Sequence, residues 1–382
     1  MTAYIVDAVR TPRGKARPEG ALASLKPQQL VTALIDALEA RGHTPRHAEG
    51  LLLGSVGQVG AQGGHIALVS KLHAKLDDSV FAISLNNYCV SGLSAIAQAG
   101  QMVSCGSAQS VLAGGVEMMS RVPFMADKAD YYRDNELEPR ARFIPVAVAA
   151  DRLAEDTGIS REELDAVALT SQQRTAAAEG TSLVASRITV NGLDNEEPAR
   201  PKTSADFLAS LPPAFEPLAE PYAEALEGRK IDFRHTIAHA PPMTDGAALA
   251  LVSASPGGAR ARILASVEVG GDPAASLTAG FDAMDKVLAK AGLALEDMDR
   301  IEFMEAFAVV IAKFLRDYDV DADKVNVGGG HLAKGHPMGA TGAILLSSLL
   351  DALDASAGRY GLVVAAGAQG VGAAMIVERL ER

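Results

Sequence analysis

The sequence has no tryptophan, and aromatic residues make up only 4% of its 382 residues. A core without large rings must be filled by Ala, Val, Leu and Ile, and 48% of the residues are hydrophobic while 36 are glycine. Small side chains of this kind suit close-packed helices and buried strands. With roughly 150 residues per domain as a prior, the length predicts two or three domains of the α/β class.

Cysteine is also scarce, since only Cys89 and Cys105 occur. Two cysteines cannot build a disulfide framework, and no metal-ligand spacing relates them. We therefore expect no bound metal and a reducing, cytoplasmic location.

Long hydrophobic runs and an excess of positive charge are missing as well. The longest uncharged segment, 79–116, is interrupted by Asn, Ser, Gln and Gly, so it lacks the ~20 predominantly apolar residues of a membrane span. The first residues, MTAYIVDAVRTP, predict a β-strand and do not resemble a signal peptide. The formal net charge of −12 argues against a nucleic-acid partner, because phosphate backbones are bound by clustered Lys and Arg. Small phosphorylated ligands stay compatible with that charge, since a local basic patch suffices to bind them.

Short apolar runs rich in β-branched residues alternate with helical segments. The first half contains AYIVDAV, a helix predicted over 28–41, GLLLGSV and SVLAGGVEMMS; the second contains ARILASVEVGG, a helix over 281–291, RIEFMEAF and GLVVAAGAQG. This alternation predicts crossover-connected, mostly parallel sheets. Both halves also contain a turn, a small-residue helix and a buried strand in the same order, which indicates a duplicated α/β domain.

The segment 121–243 has a different, polar and proline-rich composition. Within it, SREELDAVALTSQQRTAAAEG predicts a helix with Ser160 as N-cap and Glu163 completing a capping box. An insertion of this length is uncommon unless it is functional, so we interpret it as a lid or cofactor-binding domain. The predicted domains are 1–120 together with 244–258, the loop domain 121–243, and 259–382.

Two turns contain residues suited to nucleophilic catalysis. Cys89 lies in NNYCVSGLSAIAQAG, where a strand ends and a helix begins, and the helix dipole at that position predicts a lowered thiol pKa. A buried, inert cysteine is the commoner alternative. His336, in GGGHLAKGHPMGATGA, occupies the equivalent turn of the second half. A pseudo-twofold axis would bring the two turns together, which favours Cys-His nucleophilic catalysis.

With these motifs in view, the sequence resembles the thiolase family along nearly its whole length. The motifs are VDAVRTPRGK, NNYCVSGLSAIAQA, LAGGVEMMS, ISREELDAVALTSQ, DGAALALVSA, MEAFA and VNVGGGHLAKGHPMGATG. The resemblance implies a thiolase fold of the α/β class, with two repeated mixed-sheet domains in a layered α/β/α/β/α arrangement and an inserted loop domain. It also implies an acyltransferase of lipid metabolism that acts on a coenzyme A thioester, has no tightly bound cofactor, and forms a homodimer or homotetramer.

By the same match, Cys89 would hold the acyl group as a thioester, and His336 would activate it and help stabilise the thioester oxygen. The chain departs from the family at three positions. Met304 stands where thiolases carry Asn or His, Ala366 at the second catalytic Cys, and Ala368 at the Gly of the C-x-G motif. A thioether and a methyl group cannot shuttle protons. An oxyanion hole made from the backbone N–H groups of Cys89 and Ala368 would survive, because it does not depend on side chains.

The loop that contacts CoA in thiolases is altered too. In IAHAPPMTDGA, His239, Pro241 and Pro242 stand at positions of Asn, Ser and Gly, and Pro242 has no N–H to offer a ligand. Arg229 and Lys230 are candidates for a nucleotide phosphate, although two basic residues in a surface loop are more often only solvated.

The leading interpretation is acyl transfer through a Cys89 thioester with impaired Claisen chemistry. One alternative is a true acetyl-CoA acetyltransferase or 3-ketoacyl-CoA thiolase in which His331, Glu305 or a water replaces the missing Cys, although a structural role is the commoner one for such a histidine. Another alternative is a non-condensing scaffold or binding paralogue in an acyl-transfer complex. The surroundings of Cys89 and His336 favour an enzyme, whereas the altered MEAFA and AAGA segments favour a scaffold.

Overall fold

The computed structural model describes residues 1–381, which form ten strands and ten α-helices. The strands are β1 (Tyr4–Arg10), β2 (Gly14–Lys15), β3 (Gly50–Gly54), β4 (Phe81–Leu85), β5 (Ser110–Met118), β6 (Thr244–Ser253), β7 (Ala261–Gly270), β8 (Arg300–Phe303), β9 (Tyr360–Gly367) and β10 (Val371–Arg379). The helices are α1 (Pro27–Ala40), α2 (Ile66–His73), α3 (Ser91–Cys105), α4 (Val146–Thr157), α5 (Arg161–Ala178), α6 (Ala205–Ala209), α7 (Ala279–Ala291), α8 (Ala308–Asp317), α9 (His331–Lys334) and α10 (Thr341–Ser356).

The strands form one continuous sheet in the order β4-β3-β5-β6-β1-β7-β10-β9-β8, with β2 paired to β6. The two halves join where β1 pairs with β7, at Tyr4 with Arg262 and Ile5 with Ala261. Only β3 with β4, β3 with β5, and β8 with β9 run parallel. The expectation of mostly parallel sheets was therefore wrong, because β6 and β10 return antiparallel between their neighbours.

Helices α3 and α10 lie between the two halves of the sheet, and the remaining long helices of the duplicated domains cover the outside. Successive strand residues point to opposite faces, so Val363 packs in the central cluster with Leu93 and Ile344, whereas Val364 packs in an outer cluster with Met284. A third cluster packs α1 and α2 on the other outer face. The result is the predicted five-layered α/β/α/β/α arrangement.

Close backbone contact joins the start of α3 to the start of α10. A Cβ atom on Gly92 would lie 2.8 Å from the carbonyl oxygen of Gly339, and one on Gly342 would lie 2.6 Å from Cβ of Leu93. Only glycine allows this approach without displacing backbone. The contact sets the turns that precede the two helices, which carry Cys89 and His336, on the same side of the central layer.

The predicted helices are present with small shifts at their ends. The helix expected over 28–41 is Pro27–Ala40, and that expected over 281–291 is Ala279–Ala291. The predicted capping box is confirmed: Ser160 N donates to Glu163 Oε2 at 2.7 Å, and Glu163 N donates to Ser160 Oγ at 3.3 Å.

One helical segment, Met338–Ser356, is long and apolar enough to cross a membrane. However, 83% of that window is buried inside the fold. Its apolar character is explained by its place in the central layer, where it touches both halves of the sheet.

Candidate active site

Cys89 lies on a tight turn between β4 and α3. Tyr88 has a φ of +47°, which turns the chain sharply before the thiol. Ser91 holds the turn from the helix side, because Asn87 N donates to its Oγ at 2.8 Å and its own N–H donates to Tyr88 O at 3.1 Å. The half-buried Cys89 packs against the central apolar cluster.

The end of β9 reaches this turn and supplies a backbone donor. A Cβ on Gly367 would lie 3.1 Å from Cβ of Tyr88 and 3.4 Å from N of Cys89, so the two segments touch. The backbone N–H groups of Cys89 and Ala368 both act to lower the pKa of the Cys89 thiol. Two converging N–H groups are the donor set that an oxyanion hole needs.

The thiol nevertheless has a raised pKa. Burial is the largest cause and the carboxylate of Glu117 adds to it, which raises the pKa of Cys89 to about 12 despite the two backbone donors. The sequence-based expectation of a lowered pKa was therefore wrong, because removal from water outweighs the dipole of a helix that begins only at Ser91. The thiol must lose its proton to a base as it attacks.

His336 supplies an imidazole beside the start of α10. Its backbone N donates to Pro242 O at 2.8 Å, and its Nδ1 lies 2.8 Å from Oγ1 of Thr341. Burial and Arg13 lower the pKa of His336 to about 4, so the ring is neutral at neutral pH. A hydroxyl can donate to Nδ1 or accept from it. Thr341 therefore supports either tautomer, and Nε2 is available as acceptor or donor.

Glu117 ties the loop after β3 to the turn that carries His336 and was missed by the sequence analysis. Its carboxylate, which is fully buried, accepts hydrogen bonds from Val56 N at 2.8 Å, Gly57 N at 3.0 Å, Gly339 N at 3.0 Å and Gln62 Nε2 at 2.5 Å. It thus joins the loop after β3 to the segment that follows His336. Glu117 is the single charged residue in the apolar run SVLAGGVEMM, and this isolated charge could have identified it as a functional candidate.

Glu305 holds the glycine-rich loop from the other side. Its Oε2 accepts from Ser171 Oγ at 2.7 Å and from Leu332 N at 3.0 Å, and its Oε1 accepts from Asn326 Nδ2 at 3.1 Å. A Cβ on Gly330 would lie 2.0 Å from the carboxyl carbon, so the loop is pressed against it. These contacts support a positioning role for Glu305 and do not favour it as a free base.

His331 is buried, with 1% of its surface exposed, and its ring centroid lies 5.7 Å from that of His336. Neither ring nitrogen has a hydrogen-bond partner within the part of the chain that the structure describes. Burial lowers the pKa of His331 well below the usual range, and the neighbouring His336 lowers it further. It is an uncharged imidazole with unused hydrogen-bonding capacity.

His239 and Arg229 are committed to other side chains. His239 accepts from Thr236 N at Nδ1 (3.0 Å), and its Nε2 lies 2.7 Å from Asp165 Oδ1. Burial lowers the pKa of His239 to about 4. Arg229 pairs with Glu155 and Asp156. His239 therefore helps to hold the turn beside it, and the guanidinium of Arg229 is engaged in ion pairs.

A cavity of 340 Å³ leads from the surface to the backbone beside His336. Its apolar walls include Phe207, Leu211, Ile237, Ala238, Pro242, Met243 and Leu332. Pro242 and Met243 are the residues whose backbone contacts His336. Lys15, Arg17 and Arg200 also line it, and among residues 1–381 none of the three forms an ion pair. A larger cavity of 490 Å³ lies between α5 and α8, and neither Cys89 nor His336 lines either cavity.

Comparison with known proteins agrees with this geometry. The model of the thiolase N-terminal domain matches residues 3–255, and that of the thiolase C-terminal domain matches 258–379. The chain belongs to the thiolase family. It is 34% identical over 414 residues to a beta-ketoadipyl-CoA thiolase of Acinetobacter baylyi, with 99% of each chain covered. It is also 34% identical over 420 residues, again with 99% of each covered, to the 3-oxoadipyl-CoA/3-oxo-5,6-dehydrosuberyl-CoA thiolase of Escherichia coli.

Solved thiolases share the whole fold. Human mitochondrial 3-ketoacyl-CoA thiolase in complex with CoA superposes with a TM-score of 0.86 at 28% identity, covering 100% of this chain and 98% of the other. The acetyl-CoA acetyltransferase of Bacillus anthracis gives a TM-score of 0.85 at 28% identity, with 99% of each covered. The chain is therefore an enzyme of the thiolase family, a class that transfers acyl groups of CoA thioesters.

Two of the residues that depart from the thiolase motifs, Ala366 and Met304, are buried in the structure. Ala366 lies on β9, is 5% exposed, and offers only a methyl group. Met304 is 2% exposed and belongs to the apolar cluster against which Cys89 packs. Neither side chain can accept or give a proton.

Proposed function

We propose that this thiolase-family enzyme carries an acyl group on Cys89, receives it from a CoA thioester, and passes it to an acceptor with strongly impaired deprotonation of an α-carbon. One observation supports this most directly. The backbone N–H groups of Cys89 and Ala368 both lower the pKa of the thiol, while positions 304 and 366 hold no acid or base.

Acylation needs only groups that the chain retains. Nε2 of His336 takes the thiol proton as Sγ of Cys89 attacks the thioester carbonyl. The two backbone N–H groups hold the oxyanion, and the CoA thiolate leaves with the proton that His336 returns. One oxyanion-hole donor is typically worth about 10²- to 10³-fold in rate, so this half of the reaction keeps most of its catalytic power.

Claisen chemistry has a second requirement, a base that removes a proton from the α-carbon of the acceptor. General acid-base groups contribute about 10²- to 10⁴-fold. The methyl group of Ala366 cannot supply that factor, which supports impaired thiolysis and condensation.

The 340 Å³ cavity fits the donor. Small-molecule sites usually fall between about 300 and 1,000 Å³ and combine apolar walls with a few polar groups. The apolar walls, which include Phe207, Ile237 and Met243, suit a pantetheine arm. The cations at Lys15, Arg17 and Arg200 suit the phosphates of CoA. We infer no tightly bound cofactor.

A true thiolase with a substitute base is the second candidate. The unpartnered imidazole of His331, close to His336, favours it over Glu305, whose carboxylate is occupied. No contact in the described structure favours the scaffold alternative over the two enzymatic ones.

We also propose a homodimer in the cytoplasm. Edge strand β4 is only half-buried along its length, and the neighbouring α2 exposes Leu68, Val69 and Leu72. An exposed sheet edge beside apolar side chains is a surface that a second copy can cover. Size-exclusion chromatography with light scattering tests this state against a monomer or a tetramer.

Intact-mass spectrometry after incubation with a panel of acyl-CoAs tests the acyl-enzyme. The wild-type chain should gain one acyl mass, and Cys89→Ala should gain none, with Cys105→Ser as the matched control that still gains it. Acylation at Cys105, or none with any thioester, would refute the proposed nucleophile.

A further inference from the structure

Carbon-carbon bond formation at Cys89 requires a carbanion, and the carboxylates beside the two turns are poorly suited to generate one. Glu117 is the acid whose charge acts on Cys89, but four donors already occupy its oxygens. Glu305 accepts three hydrogen bonds. A carboxylate held in this way would have to break its own contacts before it could take a proton from carbon.

Cys89 itself packs against an apolar cluster. Ala366 ends β9 with a methyl group, and Met304 lies in the same apolar cluster as Ala306 and Ala340. Such surroundings disfavour a step that separates charge by moving a proton from carbon to a side chain. Apolar surroundings favour a step that starts from a charged group and disperses its charge. A carboxylate loses its water shell when it enters such surroundings, and loss of CO₂ relieves that cost.

We propose that the acceptor is a β-carboxylated thioester of the malonyl type, whose carbanion is produced by loss of CO₂ in place of deprotonation. The inference rests on the proposed acylation of Cys89 and names the acceptor for that same site. It gives the enzyme a condensing activity that needs no base at position 366.

The step balances without an added oxidant or reductant. The bond between the α-carbon and the carboxylate breaks, its electron pair becomes the enolate, and CO₂ leaves. The enolate carbon attacks the carbonyl carbon of the acyl-Cys89 thioester, the new C–C bond forms, and the bond from that carbon to Sγ breaks. The Cys89 thiolate then takes one proton from solvent through Nε2 of His336. The products are a 3-ketoacyl thioester, CO₂ and free enzyme.

His336 has a second task in this step. Thr341 can donate to its Nδ1, which leaves a proton on Nε2. A neutral imidazole N–H can donate to the thioester oxygen on which the enolate charge develops. The same side chain thus accepts a proton during acylation and donates a hydrogen bond during condensation.

A single-turnover experiment tests the proposal. The full-length enzyme is acylated with the acyl-CoA that labels Cys89 best, freed of excess donor, and mixed with either malonyl-CoA or acetyl-CoA. We expect a 3-ketoacyl-CoA and one CO₂ per product with malonyl-CoA, at a rate about 10²-fold or more above that with acetyl-CoA, the least that a missing base would cost. Cys89→Ala should form no 3-ketoacyl product, which controls for spontaneous loss of CO₂.

The proposal would be overturned if the acyl-enzyme reacted with acetyl-CoA as fast as with malonyl-CoA, or if it reacted with neither. Both outcomes would leave the acylation of Cys89 intact. Loss of the acetyl-CoA reaction in His331→Ala would then assign the base to His331. Absence of any acyl-enzyme would instead refute the proposed function and this inference with it.

Discussion

The Nδ1 atom of His336 lies 2.8 Å from the hydroxyl oxygen of Thr341, the first residue of α10. The contact fixes the imidazole by one nitrogen and leaves the other for chemistry. Because the partner is a hydroxyl, the ring can change tautomer without losing the hydrogen bond. The proposed proton carrier is therefore oriented by the helix that the second half of the chain places in the central layer.

His336→Ala should reduce single-turnover acylation of Cys89 by about 10²- to 10⁴-fold, because the thiol loses its proton acceptor. Thr341→Val keeps the shape of the side chain but removes the hydroxyl, so a smaller loss is expected. Quenched-flow intact-mass spectrometry measures both rates. Equal rates in wild type and His336→Ala would show that another group takes the thiol proton.

Cys105 should be alkylated faster than Cys89 at neutral pH. Burial raises the pKa of Cys89 to about 12, whereas hydrogen bonds from Ser107 lower that of the exposed Cys105. The thiolate is the reacting form, so alkylation of Cys89 should increase with pH well above the range in which Cys105 has levelled off. Peptide mapping after iodoacetamide treatment gives the two rates, with Cys105→Ser to isolate Cys89. A plateau for Cys89 below pH 8 would contradict the raised pKa.

Ala366→Cys combined with Ala368→Gly should increase thiolytic cleavage of 3-ketoacyl-CoA by about 10²-fold or more, because a proton carrier returns. Gly280 lies next to position 366, since a Cβ added at Gly280 would be 3.4 Å from Cβ of Ala366. Ala366→Ser with Ala368→Gly is the matched control. A wild-type turnover on the order of 10 per second, which is ordinary for enzymes, would show that the natural chain already has a substitute.

Glu117→Gln should destabilise the fold by about 1–3 kcal/mol, because an amide NH₂ then faces N–H donors that a carboxylate oxygen accepted. The pKa of Cys89 should fall at the same time, since the negative charge of Glu117 raises it. Urea denaturation measures the first effect, and the pH dependence of Cys89 alkylation measures the second. An unchanged alkylation profile would show that the carboxylate acts on the fold alone.

His331→Leu should change how stability depends on pH. The unfolded imidazole takes up a proton near pH 6.5, whereas burial holds the folded pKa well below that value. The unfolded state therefore binds more protons below about pH 6.5, and the stability of the wild type falls relative to the variant as the pH decreases further. Denaturant titrations at pH 7.5, 6 and 5 measure the difference in free energy of unfolding between the wild type and the variant. A difference that does not change with pH would show that the folded imidazole is exposed to solvent.

The sequence determined the family, the layered α/β fold and the two turns that carry Cys89 and His336, because short motifs of glycine and small residues at fixed spacing tolerate few backbone paths. It also predicts the loss of a proton carrier at Ala366, since that prediction depends only on which atoms a side chain has. Tertiary structure decided the rest. Burial reversed the expected pKa of Cys89, and contacts from distant segments turned Glu305 and His239 into positioning groups and made Glu117 the link between the loop after β3 and the turn of His336. Solvation and hydrogen bonding depend on residues far apart in the chain, so they become known only when the fold brings those residues together.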